Sequence, residues 1–338
     1  MKKILLYSRD KSFDENIFNS NARFTFNQPF IYLKNRLKDI GFELTTIFEN
    51  KKSSVDFYGL IIIDSPFLRN NFKNFIKKFL NNGKDDFDQE KIIKRIINKT
   101  YKDKIVLLLW EGRGVRPENY TKSLHEKFQL ILTWDDNLID NNKFYKFYLP
   151  AKTEFQEILR VPFSQKKLLV NVSSDKHSGN PNELYSARRE SIKFFENHYP
   201  DDFDLYGLRW KKDEYQSYRG EVEKKTSIIS KYKFSICYEN LREENGYITE
   251  KIFDCFQAGV VPIYWGANNI EEYVNKNSYV DRRLFKNNQE LANYIVNIKE
   301  IDYNKYIKSI DAYLKSNKYH LFSFENFANT IINTLKLT

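Results

Sequence analysis

The chain has 338 residues, 41% hydrophobic and 16% aromatic, enough to bury two substantial cores and to predict two domains. Lys and Arg number 55 against 45 Asp and Glu, a formal charge of +10 that suits an anionic partner. The basic residues are dispersed, and no RNA-binding aromatic motif, zinc knuckle or heptad-linked basic region appears, which argues against nucleic acid.

The two cysteines, Cys237 and Cys255, form no CxxC, so a zinc site or disulfide framework is not expected and a reducing cytoplasm is the predicted compartment. The first apolar run, in MKKILLYSRDK, is too short for a secretory signal. No run approaches the roughly 18 apolar residues of a spanning helix, so a soluble protein is expected.

In chain order, Lys3–Ser8 reads as a short apolar strand. A helix is predicted over Pro29–Ile40, stopped by Gly41. Glu43–Phe48 and Tyr58–Asp64 read as strands, the second a continuous Ile run of the kind buried on both faces of a parallel sheet. Helical patterns over Phe67–Leu80 and Gln89–Asn98 lead to apolar strands at Ile105–Trp110 and Leu130–Trp134. After a connection at 150–165 the alternation restarts. Strands are predicted at Lys167–Val172, Phe203–Tyr206, Lys233–Tyr238 and Val260–Trp265, with helices at Glu183–His198 and Tyr247–Ala258. This alternation predicts doubly wound α/β domains with parallel sheets.

The chemistry concentrates in KYKFSICYENLREENGYITEKIFDCFQAGVVPIYWGANN. Glu239 and Asn240 follow a buried strand, the usual ligand position in an open α/β sheet. Gly246 permits a tight turn, and Thr249 with Glu250 opens a helix whose free N–H groups suit phosphate, with Lys251 adding a full charge. Thr249 has a second reading as a plain helix cap. Gly266 ends the next strand, where backbone could approach a ligand closely. Phe234, Ile236, Ile252, Phe253 and Phe256 read as core, and the cysteines as small buried fillers.

Phe234, Glu239, Asn240, Tyr247, Thr249, Glu250, Lys251, Gly259, Pro262 and Gly266 together make this segment resemble glycosyltransferase family 10, the α-1,3/1,4-fucosyltransferases. The resemblance implies the GT-B fold: two Rossmann-like domains facing a cleft, here 1–155 for the acceptor and base and 160–310 for the donor, with a helical segment at 311–338. It implies GDP-fucose as donor, Lys251 on the diphosphate, Glu250 on the ribose, and Asn240, Glu239 and Tyr247 shaping the pocket.

A second resemblance lies in ELYSARRESIKFFENHYPDDFDLYGLRW, where the family's diphosphate arginine falls on Arg188 or Arg189. The apolar positions Ile192 and Phe195 favour Arg188, and a solvated helix charge is the alternative for either. A third concerns the base. The family places a Glu after a mid-domain strand of the N-terminal half, with Pro a few residues on; in LLLWEGRGVRPENY that is Glu111, with Glu118 in reserve.

The implied reaction is inverting displacement, with Glu111 taking the acceptor proton and Lys251 with an Arg neutralising the departing diphosphate. No metal is called for: Asp135–Asp136 and Asp201–Asp202 read as turns or caps, and His125, His177, His198 and His320 lack ligand spacing. A GT-B transferase of another nucleotide sugar is the alternative. The acceptor implied is a glycan of O-antigen or N-acetyllactosamine type. Tyr313–Thr338 reads as helices packing on the body, or as an interfacial amphipathic helix giving peripheral contact with the inner membrane.

Overall fold

The computed structural model describes residues 1–10, 17–19, 27–46, 49, 57–67, 84–151, 158 and 160–337, with side chains omitted over 84–90. The chain divides into two compact units, Met1–Tyr148 with Phe324–Thr338, and Leu149–Ser323.

In the first unit, six strands form a sheet in the order β2-β1-β3-β4-β5-β6. They are β1 (Lys2–Ser8), β2 (Phe42–Thr46), β3 (Gly59–Ile63), β4 (Ile105–Leu109), β5 (Leu130–Thr133) and β6 (Phe144–Lys146), and every pairing is parallel. The runs GLIII and IVLLL are buried throughout, as central parallel strands between helical layers require. Helix α1 (Gln28–Asp39) has Pro29 in its first turn, and Gly41 follows it with φ of 87°. Helix α2 (Lys84–Lys99) precedes β4 and places Ile93 in a core with Leu60, Ile62, Leu107 and Leu109. The pattern expected over Phe67–Leu80 lies, from residue 68 on, outside the described residues. So do Ile47 and Phe48, the end of the strand expected over Glu43–Phe48.

The second unit holds a five-stranded parallel sheet in the order β11-β10-β9-β7-β8. Its strands are β7 (Lys167–Val172), β8 (Phe203–Tyr206), β9 (Tyr232–Tyr238), β10 (Val261–Trp265) and β11 (Val280–Asp281). Its longer helices are α3 (Tyr185–His198), α4 (Glu250–Gln257), α5 (Asn288–Val296) and α6 (Glu300–Leu314). In both sheets the first and third strands are neighbours and the order reverses there, at β1/β3 and at β7/β9. Ligands of open α/β sheets bind beyond the carboxyl ends of the strands at such a reversal.

The last helix, α7 (Phe324–Thr334), belongs to the first unit, not to a segment of its own. Phe327 lies edge-on to Phe30 of α1 and to Trp110, with ring centroids 5.4 and 5.9 Å apart, and Phe324, Ala328, Ile331 and Ile332 are buried with it. Its apolar face is therefore occupied by packing on the body. Among the described residues, no helix is long and apolar enough to cross a membrane.

Candidate active site

Strand β9 ends at Tyr238, and the Glu239 N–H continues the pairing with β10 by donating to the Trp265 carbonyl at 2.8 Å. The Glu239 side chain is fully buried. One of its oxygens accepts from the Thr249 N–H at 2.9 Å, and the Thr249 hydroxyl reaches both, at 3.1 and 2.8 Å. Lys251 Nζ donates to the second oxygen at 3.0 Å and to Thr249 Oγ1 at 2.9 Å. Taking a carboxylate out of water costs several kcal/mol, and these donors are what offsets it. Burial works against the Lys251 charge, but Glu239 and then Glu250 raise its pKa above the ordinary lysine value.

Thr249 is the N-cap of α4, extended at φ −107° and ψ −177°, so its capping reading holds, and it also tethers Glu239. Gly246 makes the turn before it with φ of 81°, its N–H bound by Asn269 Oδ1 at 2.9 Å. Asn240 Nδ2 donates to the Tyr247 hydroxyl at 3.3 Å, and Tyr247 is buried. Glu250 points outward, its side chain 55% exposed. Gly266 is required by close approach: a Cβ there would lie 2.5 Å from Glu239 Cγ and 2.6 Å from the Tyr264 hydroxyl.

Arg188, on α3, is 4% exposed and donates through Nη2 to the carbonyls of Tyr238 at 2.6 Å and Glu239 at 3.1 Å. Burial lowers its pKa from the usual arginine value. Arg189 instead turns to Asp175 Oδ1 at 3.2 Å, the Lys176 carbonyl at 2.6 Å and Ser186 Oγ. The structure therefore gathers Arg188, Glu239, Thr249 and Lys251 at the carboxyl end of β9, with Asn240, Tyr247 and Glu250 on the loop and helix that follow. Arg189 stands apart from that cluster.

In the first unit, Glu111 follows Trp110 beyond the end of β4 and is half-buried. Its N–H donates to Asp64 Oδ1 at 3.0 Å, and its carbonyl accepts from Asn119 Nδ2 at 3.2 Å and the Tyr120 hydroxyl at 3.1 Å. Glu118 is engaged by Arg9 at 3.0 Å and Arg116 at 3.7 Å. Asp135 caps the following turn by accepting from the Asn137 N–H, and pairs with Arg113 at 2.6 Å. Among the described residues, no three His, Cys, Asp or Glu side chains converge as a metal site would require. Asp64 and Asn119 escaped sequence reasoning; the PENY run after the Glu was visible, but nothing local linked it to Asp64.

The fold agrees with solved glycosyltransferases of the GT-B class. An α1,3-fucosyltransferase with GDP superposes with a TM-score of 0.56 at 16% identity, covering 99% of this chain and 89% of that one. T4 phage BGT, solved with UDP and Mn2+, gives 0.58 at 15% identity over 98% and 99%. Two parallel-sheet units with C-terminal helices are thus a GT-B pair. Residues 164–329 match the sequence model for glycosyltransferase family 10 (fucosyltransferase), C-terminal part, so the second unit is similar to that family. Among curated relatives, the α-(1,3)-fucosyltransferase FucT of Helicobacter pylori is 36% identical over 110 residues, 32% of this chain and 20% of that protein. An α-(1,4)-fucosyltransferase of Arabidopsis thaliana is 39% identical over 80 residues, 23% of this chain and 20% of that protein. The matched stretches thus span one fifth of these two relatives.

Proposed function

We propose that the chain is an inverting fucosyltransferase, moving L-fucose from GDP-β-L-fucose to a hydroxyl of a glycan and leaving an α-1,3-fucoside and GDP. The observation that carries this reading is the buried Glu239 carboxylate, which fixes Lys251 over the N-terminus of α4 at the strand-order reversal. A cation at the N-terminal end of a helix suits a diphosphate. Lys251 and Arg188 take its charge, Glu250 takes the ribose hydroxyls, and Asn240 with Tyr247 borders the sugar. Glu239 acts through Lys251 and Thr249. The acceptor oxygen attacks the anomeric carbon while Glu111 takes its proton. The bond from that carbon to the β-phosphate oxygen breaks, and GDP leaves with the electron pair. The donor needs no redox cofactor, and the cations named supply the charge that a divalent metal would otherwise bring.

The acceptor we propose is a bacterial surface glycan, O-antigen or N-acetyllactosamine-like, fucosylated in the cytoplasm or at the inner membrane face. The resemblance to family 10 and the two free cysteines support that placement. The test is turnover of GDP-fucose, against GDP-mannose, with N-acetyllactosamine and an O-antigen oligosaccharide, and NMR assignment of the product anomer. Transfer of mannose but not fucose, or a β-fucoside, overturns the reading. Glu111→Gln is expected to abolish transfer while GDP affinity stays within about twofold; retained turnover removes Glu111 as base.

A further inference from the structure

We propose that Asp64 and Asn119 are positioning residues that lock the peptide of Glu111 and so aim its carboxylate. This rests on the reading of Glu111 as the base.

Asp64 sits one residue past β3 at φ 59°, a left-handed conformation that Asp and Asn tolerate better than other side-chain-bearing residues. That turn brings a single oxygen, Oδ1, under the neighbouring strand end. It accepts from the N–H groups of Trp110 at 2.8 Å and Glu111 at 3.0 Å, and from Asn119 Nδ2 at 2.6 Å. Asn119, wholly buried, closes the ring: its Nδ2 also donates to the Glu111 carbonyl, and its Oδ1 accepts from the Ser65 N–H at 2.8 Å. The Glu111 backbone is thus held on both sides, by Asp64 at its nitrogen and by Asn119 and Tyr120 at its carbonyl. The Trp110 carbonyl is pinned in turn by Trp134 Nε1 at 3.1 Å.

The spacing of the segment follows from this arrangement. Pro117 opens the short turn Pro117–Tyr120, and that turn delivers Asn119 and Tyr120 back to Glu111. Ordinary turns satisfy their peptides with local partners, whereas here the partner comes from 47 residues away and is a buried carboxylate. A base on a loop gains from such restraint, because a displacement near 1 Å costs on the order of 100-fold in rate.

The test uses the whole chain with GDP-fucose and whichever acceptor probe the wild type turns over. Asp64→Gly tolerates the left-handed backbone but removes the acceptor, Asn119→Ala removes the other clamp, and Asp64→Asn keeps an oxygen at the same place. Asp64→Gly and Asn119→Ala are expected to lower kcat by about 30- to 100-fold, with donor KM and GDP affinity within about twofold. Asp64→Asn should restore kcat to within about fivefold of wild type. The proposal falls if Asp64→Gly or Asn119→Ala keeps kcat within about threefold, or if kcat and GDP affinity fall together, as general loosening would produce. Should Asp64→Gly not fold, Asn119→Ala decides alone. With Glu111→Gln measured in parallel, an active Glu111→Gln removes the base and this proposal with it. A dead Glu111→Gln beside active clamp variants removes the proposal alone.

Discussion

Replacing Gly266 by Ala tests whether the packing under the Glu239 carboxylate shapes the proposed donor site. The added Cβ would stand 2.5 Å from Glu239 Cγ, 2.6 Å from the Tyr264 hydroxyl and 2.9 Å from Tyr264 Cζ. Carbon atoms pack at about 3.5–4.0 Å, so the overlap with Cγ is about 1 Å. Neither neighbour can yield cheaply. Tyr264 and Glu239 are both fully buried, the tyrosine hydroxyl accepts from the Ala267 N–H at 3.1 Å, and the carboxylate is held by Thr249 and Lys251. Moving Glu239 aside stretches those charged hydrogen bonds, each contributing about 1.5–3 kcal/mol. Overpacking elsewhere in cores costs about 1–3 kcal/mol. A loss of about 2–4 kcal/mol in stability follows, with GDP affinity down by tenfold or more, about 1.4 kcal/mol, as Lys251 loses its anchor. Urea unfolding and calorimetric GDP titration measure both. Gly179→Ala is the control, since Gly179 has a negative φ and no atom within 4 Å of an added Cβ. If Gly266→Ala matched that control within about 0.5 kcal/mol, the tight contact would not be shaping the site.

Three further outcomes are expected. Lys166 is buried, donating to the Gly259 carbonyl at 2.6 Å, and burial lowers its pKa from 10.5 to about 8. Between pH 8 and 10 the unfolded chain therefore holds a proton that the folded chain has released, so stability rises with pH by up to about 2–3 kcal/mol. Urea midpoints at pH 7.5 and 9.5 should show this for wild type and not for Lys166→Met; parallel changes would refute it. Arg189→Ala should leave GDP affinity within about threefold, while Arg188→Ala lowers it by tenfold or more; a larger loss in Arg189→Ala than in Arg188→Ala by titration would put Arg189 on the diphosphate instead. Glu239→Gln should weaken GDP binding rather than strengthen it, by about 10-fold in the same titration.

Much of the fold follows from local pattern, because continuous Ile, Leu and Val runs such as GLIII and IVLLL can be satisfied only in a sheet covered on both faces. The strands β6 and β11, of three and two residues, are too short to carry periodicity and rest on their neighbours. The return of α7 to the first unit was equally hidden: an amphipathic pattern reveals a buried face but not its partner. At the proposed donor site, the helix opening at Thr249–Glu250 was legible from cap chemistry, and so was the glycine at 266. The direction of the Glu239 side chain was not, because it is decided by Gly266 and Thr249, 27 and 10 residues away in the chain. The clasp of Asp64 on Glu111 is of the same kind, a long-range pairing with no local periodicity.

Glu239 ties the two cations of the proposed donor site to one residue: its carbonyl accepts from Arg188, and its carboxylate accepts from Lys251. Two effects then oppose each other when a diphosphate arrives. The carboxylate repels the phosphate, and it also takes up part of the lysine's charge. Against that, a free lysine side chain gives up about 2 kcal/mol of rotamer freedom when it is fixed, and here Glu239 and Thr249 have already fixed it. An ammonium has three donors. Two are committed, to Glu239 and Thr249, leaving one to aim at the ligand without breaking either bond. The pair is partly open, with the Lys251 side chain 23% exposed, so water damps the repulsion while the restraint persists. Restraint therefore outweighs repulsion. Freeing the lysine in Glu239→Gln removes the clash with phosphate but returns the rotamer cost to the binding step, which is why weaker binding is expected.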